Sequence, residues 1–116
     1  MRIVALSDTH NRHDAIRVPD GDVLVHAGDI TGRGRLRELE AFSGWWKGLP
    51  HRHKVIIAGN HDFCFEREDE RRSAREMLDG SRYLQDEMVV IEGLKFFGLG
   101  ACSTKPLPAK TSVAMT

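Results

Sequence analysis

Three short apolar segments, each rich in β-branched residues, constrain the fold of this chain more than any other feature. They are RIVALS at residues 2–7, DVLVHA at residues 22–27 and KVIIA at residues 54–58. Strands that are almost entirely apolar are typical of a parallel sheet that is covered on both faces. Helical patterns alternate with these segments. We therefore predict an α/β fold with mostly parallel central strands.

Two segments have the pattern of α-helices. In residues 35–50, apolar side chains recur at steps of three and four, which predicts an amphipathic helix that Pro50 stops. Residues 66–80 are strongly charged and predict an exposed helix that Gly80 closes. The apolar stripe of the first helix consists of Leu36, Leu39, Phe42, Trp45, Trp46 and Leu49. The side chains expected to face inward from the second are Ala74, Met77 and Leu78.

The C-terminal part of the chain changes character. Residues 87–100 contain two apolar runs that Glu92 and Gly93 separate, which predicts a β-hairpin. The following residues include two prolines and small polar side chains without periodicity. We expect an irregular tail over residues 99–116 after one domain over residues 1–98.

Composition excludes several classes of function. The chain has 116 residues, with 17 Lys plus Arg balanced by 17 Asp plus Glu, so it lacks the basic excess of most nucleic-acid-binding proteins. No apolar run is long enough for a membrane helix, and the N-terminal run is too short for a signal peptide. Cys64 and Cys102 do not form a C-x-x-C pair. A reducing cytoplasm is therefore the expected location.

A cluster of polar side chains directly follows each of the three apolar segments. Each cluster taken alone has the composition of a turn or a helix cap. Three such clusters in succession, however, would meet at the carboxyl edge of a parallel sheet, where ligands bind in open α/β folds. The side chains concerned are Asp8, His10, Asp29, Asn60, His61 and Asp62.

The donor atoms of these side chains predict a class of metal. Two carboxylates, an imidazole and a carboxamide form a mixed oxygen and nitrogen set, which suits Mn, Fe, Zn or Ni better than Ca or Mg. Without a cation, Asp8 and Asp29 in one cleft would repel each other. A divalent ion would relieve that repulsion.

The motifs D-T-H, G-D-I-T and G-N-H-D, in this order and after these strands, resemble the first three motifs of the calcineurin-like metallophosphoesterases. The surrounding residues most resemble a branch of small phosphodiesterase-like proteins, related to the brain metallophosphoesterase-domain proteins of mammals. The resemblance covers roughly residues 1–98. It implies a metallophosphoesterase-type α/β sandwich, of which this chain would be a truncated N-terminal half, with a tail unlike the family over residues 99–116.

The resemblance implies a site with two metal ions. Asp8 and His10 would bind the first ion, Asp29 would bridge the two ions and Asn60 would bind the second. In such a site the ion pair activates a water molecule and neutralises charge on the phosphoryl group. No histidine follows His61, so the later histidine motifs of the family are absent. We expect the second ion to bind poorly and the truncated form to be slow or inactive.

The resemblance also implies the catalytic residues and the substrate class. His61 would donate a proton to the leaving oxygen, and Asp62 would orient His61. The substrate would be a phosphoester, such as the phosphodiester of a cyclic nucleotide. The alternative is a metal-binding remnant without catalytic activity, which would associate with another chain or a second copy to cover an unpaired sheet edge.

The other histidines are not assigned to the site. His26 lies within a predicted strand and is expected to be a packed or hydrogen-bonded core residue. Surface positions are expected for the histidines in loops or at a strand entry, which are His13, His51 and His53. Asn11 and Arg12 are expected to be exposed, although Arg12 lies where it could reach a substrate phosphate.

Overall fold

The computed structural model describes residues 1–59 and 61–99, and the backbone of residues 112–115. Its strands are β1 (Ile3–Leu6), β2 (Val23–His26), β3 (His53–Ile56), β4 (Arg82–Tyr83), β5 (Glu87–Ile91), β6 (Leu94–Leu99) and β7 (Ser112–Met115). Its α-helices are α1 (Leu36–Lys47) and α2 (Arg71–Met77), and short 3₁₀ helices lie at His13–Ala15 and Phe63–Phe65. Within these ranges, no helix has the length and apolar character needed to cross a membrane.

The first sheet is parallel and has the strand order β1-β2-β3-β4. Every residue of β2 is buried, which explains why this segment is apolar at successive positions. The prediction of an α/β fold with parallel central strands is therefore confirmed. The two-residue strand β4 was not predicted, because two residues are too few to show a periodic pattern.

Helix α1 covers one face of the first sheet. Leu39, Phe42 and Trp46 are completely buried against Leu24 and Ile56 of the sheet. The remaining residues of the predicted stripe are partly buried and pack on the same core. The amphipathic pattern therefore identified the buried face of this helix correctly.

The second predicted helix is shorter than expected. Helix α2 contains seven residues, and its inward-facing Ala74 is completely buried as predicted. The preceding 3₁₀ helix places Cys64 and Phe65 in the core, where the Phe65 ring stacks on Tyr83 at 4.7 Å. Because the chain turns to bury these two side chains, the α-helix starts only at Arg71.

The second sheet has the strand order β5-β6-β7, and all of its pairs are antiparallel. Strands β5 and β6 form the predicted hairpin, with Glu92 and Gly93 at the turn. The structure differs from the prediction of an irregular tail at Ser112–Met115, which pairs with β6. Strand β7 is defined by its backbone pairing with β6, and such pairing leaves no periodic pattern in the local sequence. Residues 100–111 lie outside the described residues.

The two sheets pack face to face. The side chains of the first sheet that point away from α1 form a second core with Leu84, Ile91 and Phe96. The first sheet contributes Val23, Val25 and Val55 to this core, and Ile57 directly after β3 also belongs to it. The chain therefore forms an α/β sandwich in which α1 packs on one face of the first sheet and the second sheet packs on the other.

Three histidines outside the site are buried. For two of them, His13 and His51, a surface position was predicted. His13 and His51 are buried rather than exposed, with 7% and 6% of their surface accessible. The ring of His13 packs against Phe42, and the Nε2–H group of His51 donates to the carbonyl oxygen of Pro19 at 2.8 Å. His13 begins a short 3₁₀ helix and His51 lies in a loop, and both segments fold back onto the core. His26 is completely buried, as predicted.

Candidate metal centre

Three loops at the carboxyl edge of the first sheet form the site. We name them the β1 loop (residues 7–12), the β2 loop (residues 27–35) and the β3 loop (residues 57–62). Backbone hydrogen bonds join the first two: the N–H of Asp8 donates to the carbonyl of Gly28 at 2.9 Å, and the N–H of His10 donates to that of Asp29 at 3.0 Å. The sheet therefore brings together residues that are about twenty positions apart in sequence.

The carboxylate of Asp62 joins the β2 and β3 loops. Its oxygens accept the backbone N–H groups of Ile30 at 3.0 Å, Thr31 at 2.8 Å and Gly59 at 2.8 Å. The Thr31 hydroxyl lies 2.9 Å from the same carboxylate. With only 1% of its surface exposed, Asp62 is a buried side chain whose two oxygens are surrounded by hydrogen-bond donors.

The backbone of these loops is unusual. Asp8, His10, Asn11 and Asp29 have positive φ angles of 57°, 43°, 62° and 57°. L-amino acids rarely adopt this conformation, which persists only where the surrounding structure imposes it, and it occurs preferentially at functional sites. Here the hydrogen bonds between loops impose it. All three predicted ligands that the structure describes therefore have this conformation, which also occurs at two residues outside the site.

Asp8, His10 and Asp29 converge into one group whose donor atoms all lie within 4.8 Å of one another. The Nε2 atom of His10 is 3.8 Å from Oδ1 of Asp8 and 4.0 Å from Oδ2 of Asp29. The other ring nitrogen, Nδ1, lies 3.2 Å from the carbonyl oxygen of Thr31. A carbonyl only accepts, so Nδ1 carries a proton, and Nε2, which faces the two carboxylates, is the ring nitrogen placed to bind a metal ion.

These residues fit a divalent transition metal. A hydrogen bond from the Ser7 side chain, followed by contributions from Asp29 and His10, lowers the pKa of Asp8 below its usual value. Asp8 is therefore ionised at neutral pH, as a metal ligand must be. A carbonyl hydrogen-bonded to the distal nitrogen of a histidine is the usual arrangement around protein-bound metals. The chemistry of the group suits Mn, Fe, Zn or Ni.

His61 lies at the edge of this group. Its ring is exposed and approaches the His10 ring edge-on, with 5.2 Å between the centroids. Its backbone N–H donates to Oδ1 of Asp29 at 3.0 Å. Among the described residues, the hydrogen bonds of the Asp62 carboxylate are those to Ile30, Thr31 and Gly59. The orientation of His61 by Asp62 stays a prediction, and Asn60 lies outside the described residues.

A cleft of about 530 Å³ opens beside the group. Arg12 is exposed at its wall, whereas the amide of Asn11 donates to the backbone carbonyl of Glu38 at 2.9 Å and so anchors the β1 loop to α1. Arg12 is thus the arginine that lines this cleft and could contact an anionic substrate there. The lining residues are Asp8, Thr9, His10, Arg12, Ala15 and Ile16.

Sequence reasoning did not single out two residues that shape the site. Thr31 positions His10 through its carbonyl and contacts Asp62 through its hydroxyl. Glu38 in α1 accepts the backbone N–H groups of Gly32 at 2.9 Å and Arg35 at 3.2 Å, which shapes the β2 loop. A signal was present for Glu38, because a glutamate near a helix start often caps preceding N–H groups.

Comparison with known proteins gives one family model and several curated relatives. The family model described as calcineurin-like phosphoesterase matches residues 1–107. A UPF0046 protein of Caenorhabditis elegans is 39% identical over 110 residues, which cover 84% of this chain and 38% of that protein. The human Metallophosphoesterase domain-containing protein 1 is 35% identical over 118 residues, covering 84% of this chain and 36% of that protein. The chain spans little more than a third of the length of these curated relatives.

Proposed function

Because the chain belongs to the calcineurin-like phosphoesterase family, we propose that it is a metal-dependent hydrolase of phosphoesters, and that phosphodiesters such as cyclic nucleotides are its substrate class. The observation that carries this proposal is the convergence of Asp8, His10 and Asp29, with Nε2 of His10 facing both carboxylates. The adjacent cleft is large enough for a substrate phosphate group.

A divalent ion bound by these three residues would activate water and neutralise charge on the phosphoryl group. Asn60 is proposed as a ligand of a second ion that Asp29 would share. Among the described residues, one group of three ligands is found, so we expect about one tightly bound ion per chain and slow turnover.

The remaining residues of the site have roles that their positions support. His61 is exposed beside His10, where its imidazole would donate a proton to the leaving oxygen near neutral pH. Arg12 lies at the wall of the cleft, where its guanidinium would bind phosphate oxygens with paired hydrogen bonds. Asp62 keeps the β2 and β3 loops together beneath these groups.

The experiment that tests this function combines Mn²⁺ titration by calorimetry with hydrolysis of bis(p-nitrophenyl) phosphate. Asp8→Ala should abolish Mn²⁺ binding, and Asp29→Ala should be at least as damaging because Asp29 also binds the His61 backbone. Asp20→Ala, an exposed aspartate outside the group, is the matched control and should bind Mn²⁺ normally. Unchanged binding in Asp8→Ala would contradict the site.

The proton-donor role has a separate test. His61→Ala should lower the hydrolysis of a diester with an alkoxide leaving group, such as a cyclic nucleotide, more than that of bis(p-nitrophenyl) phosphate, whose nitrophenolate leaves without protonation. The affinity for Mn²⁺ should stay unchanged, because His61 is not in the ligand group. Turnover that is independent of added metal and is retained in His61→Ala would show that another mechanism operates.

A second candidate function is association with another chain by a metal-binding protein without catalytic activity. The outer face of the second sheet favours it, because the exposed side chains of β5 and β6 include large apolar residues. Strand β1 also has no partner on its outer side among the described residues. Such surfaces are typical of interfaces. The apolar residues of the exposed face are Met88, Val90, Phe97 and Leu99.

A further inference from the structure

His26 lies at the end of β2, between the aromatic core and the loops of the metal centre. Its ring is completely buried and contacts Phe42 and Trp46 edge-on, with centroids 5.4 Å and 6.0 Å away. On the opposite side, Nε2 lies 3.0 Å from Oγ1 of Thr9, and the N–H of Gly28 donates to Nδ1 at 3.1 Å. One side chain therefore contacts both the β1 loop and the β2 loop.

The directions of these hydrogen bonds follow from the chemistry of the ring. Because Nδ1 accepts the N–H of Gly28, the proton of the neutral imidazole is on Nε2 and is donated to the Thr9 hydroxyl. That hydroxyl is left to donate to the carbonyl oxygen of Ile30, 3.5 Å away. Burial, the largest influence, lowers the pKa of His26 to about 4, so the ring is neutral at physiological pH. A single tautomer of His26 therefore forms a hydrogen bond to each of the two loops.

Packing alone does not account for this residue. Burial of an imidazole in an apolar environment is costly unless both ring nitrogens have partners, and a phenylalanine would fill similar space without that cost. Both partners of His26 belong to loops that contain predicted metal ligands. Thr9 lies between Asp8 and His10, and Gly28 directly precedes Asp29.

We propose that His26 is a positioning residue for the metal centre: its ring ties the loop of Asp8 and His10 to the loop of Asp29 and so sets the distance between their donor atoms. This inference rests on the proposed function of the site. It adds to the proposed site the buried His26, which does not itself bind the metal. The three ligands have positive φ angles, which require such an external constraint.

Metal affinity is the first readout. His26→Phe keeps the aromatic packing but removes both hydrogen bonds, and we expect Mn²⁺ binding to weaken by roughly 10- to 100-fold, as for other residues behind metal ligands. His26→Gln, whose amide reaches toward Thr9, should recover part of the loss. The matched control is Phe42→Leu, which disturbs the same aromatic cluster without a hydrogen bond to either loop and should bind Mn²⁺ normally.

Amide hydrogen exchange in the metal-free protein is the second readout, and it separates this inference from the proposed function. The amides of Asp8 and His10 donate hydrogen bonds to carbonyls of the β2 loop. His26→Phe should speed hydrogen exchange at these two amides more than at the amides of β2 and β3. Phe42→Leu should not produce this selective change. If the natural protein binds no Mn²⁺ but the selective exchange is seen, the proposed function fails and the tie between the loops stands.

Two results would overturn the inference. One is a folded His26→Phe variant that binds Mn²⁺ and protects the β1 loop as the natural protein does. The other is a nitrogen-15 spectrum of the unaltered protein that shows the ring proton of His26 on Nδ1, because that tautomer cannot accept from Gly28. The spectrum requires no substitution, so the test also works if His26→Phe does not fold.

Discussion

Gly59 of the β3 loop directly contacts Asp29 of the β2 loop, and the space between them admits no side chain. A Cβ atom on Gly59 would overlap both the backbone nitrogen and the carboxylate of Asp29. The position of a predicted metal ligand therefore depends on the absence of a side chain on a different loop, thirty residues further along the chain.

The first prediction follows from this contact. Gly59→Ala should lower the free energy of unfolding by roughly 1–3 kcal/mol and weaken Mn²⁺ binding, because the new methyl group must displace Asp29. Gly44→Ala is the control, since nothing lies within 4 Å of its added Cβ in α1. It should raise stability by about 0.5–1 kcal/mol. Urea unfolding and calorimetry measure both effects. Normal Mn²⁺ affinity in Gly59→Ala would argue against close packing of the two loops.

The second prediction concerns the buried carboxylate of Asp62. Asp62→Asn should destabilise the protein by about 2–5 kcal/mol, because the NH₂ group of asparagine cannot accept the backbone N–H hydrogen bonds that both side-chain oxygens now accept. The exposed Asp79→Asn is the control and should change stability by less than about 0.5 kcal/mol. Denaturant titration measures the free energy of unfolding of both variants. Equal stability of the two variants would mean that Asp62 does not join the loops in solution.

The third prediction is a pH dependence that arises from His26. Its pKa is lowered from 6.5 to about 4 in the folded protein, so between these values the unfolded chain binds a proton that the folded chain does not. Stability should therefore fall as the pH decreases from 6.5 to 4, by about 3 kcal/mol from this residue. His26→Gln lacks the titrating group, and its stability should decrease less over the same range. Parallel pH profiles for the two proteins would contradict the lowered pKa.

The fourth prediction concerns the exposed apolar face of the second sheet. Met88 and Phe97 lie opposite each other on β5 and β6, with 55% and 39% of their surface accessible. We expect the protein to self-associate through this face, so its mass by light scattering and its thermal midpoint should rise with concentration. The double variant Met88→Lys, Phe97→Glu should remain monomeric while keeping Mn²⁺ affinity. A natural protein that is monomeric at all concentrations would exclude this interface.

Much of the fold was predictable because it rests on local patterns. The β-branched runs at residues 2–7, 22–27 and 54–58 correspond to β1, β2 and β3. Strand β2 is buried at every position and therefore requires apolar residues in succession. The stripe of α1 was visible because one helix face must be buried. The convergence of Asp8 with Asp29 followed from the rule that parallel strands end at one edge.

Other features depend on which distant segments meet. The sequence places Asp62 beside His61, whereas the structure directs its carboxylate to Ile30 and Thr31, more than thirty residues away. His13 and His51 were expected at the surface, yet a short 3₁₀ helix and a loop, respectively, fold onto the core and bury them.

Periodicity and composition alone thus determined β1, β2, β3 and the β5–β6 hairpin, the buried helix face and the edge at which the polar residues gather, because each of these reflects burial of neighbouring residues along one element. Only the tertiary structure decided which donor meets which acceptor, including the two ring nitrogens of His26 on two different loops. Hydrogen bonds are short and directional, so their partners follow from the relative positions of loops that the sequence does not place side by side.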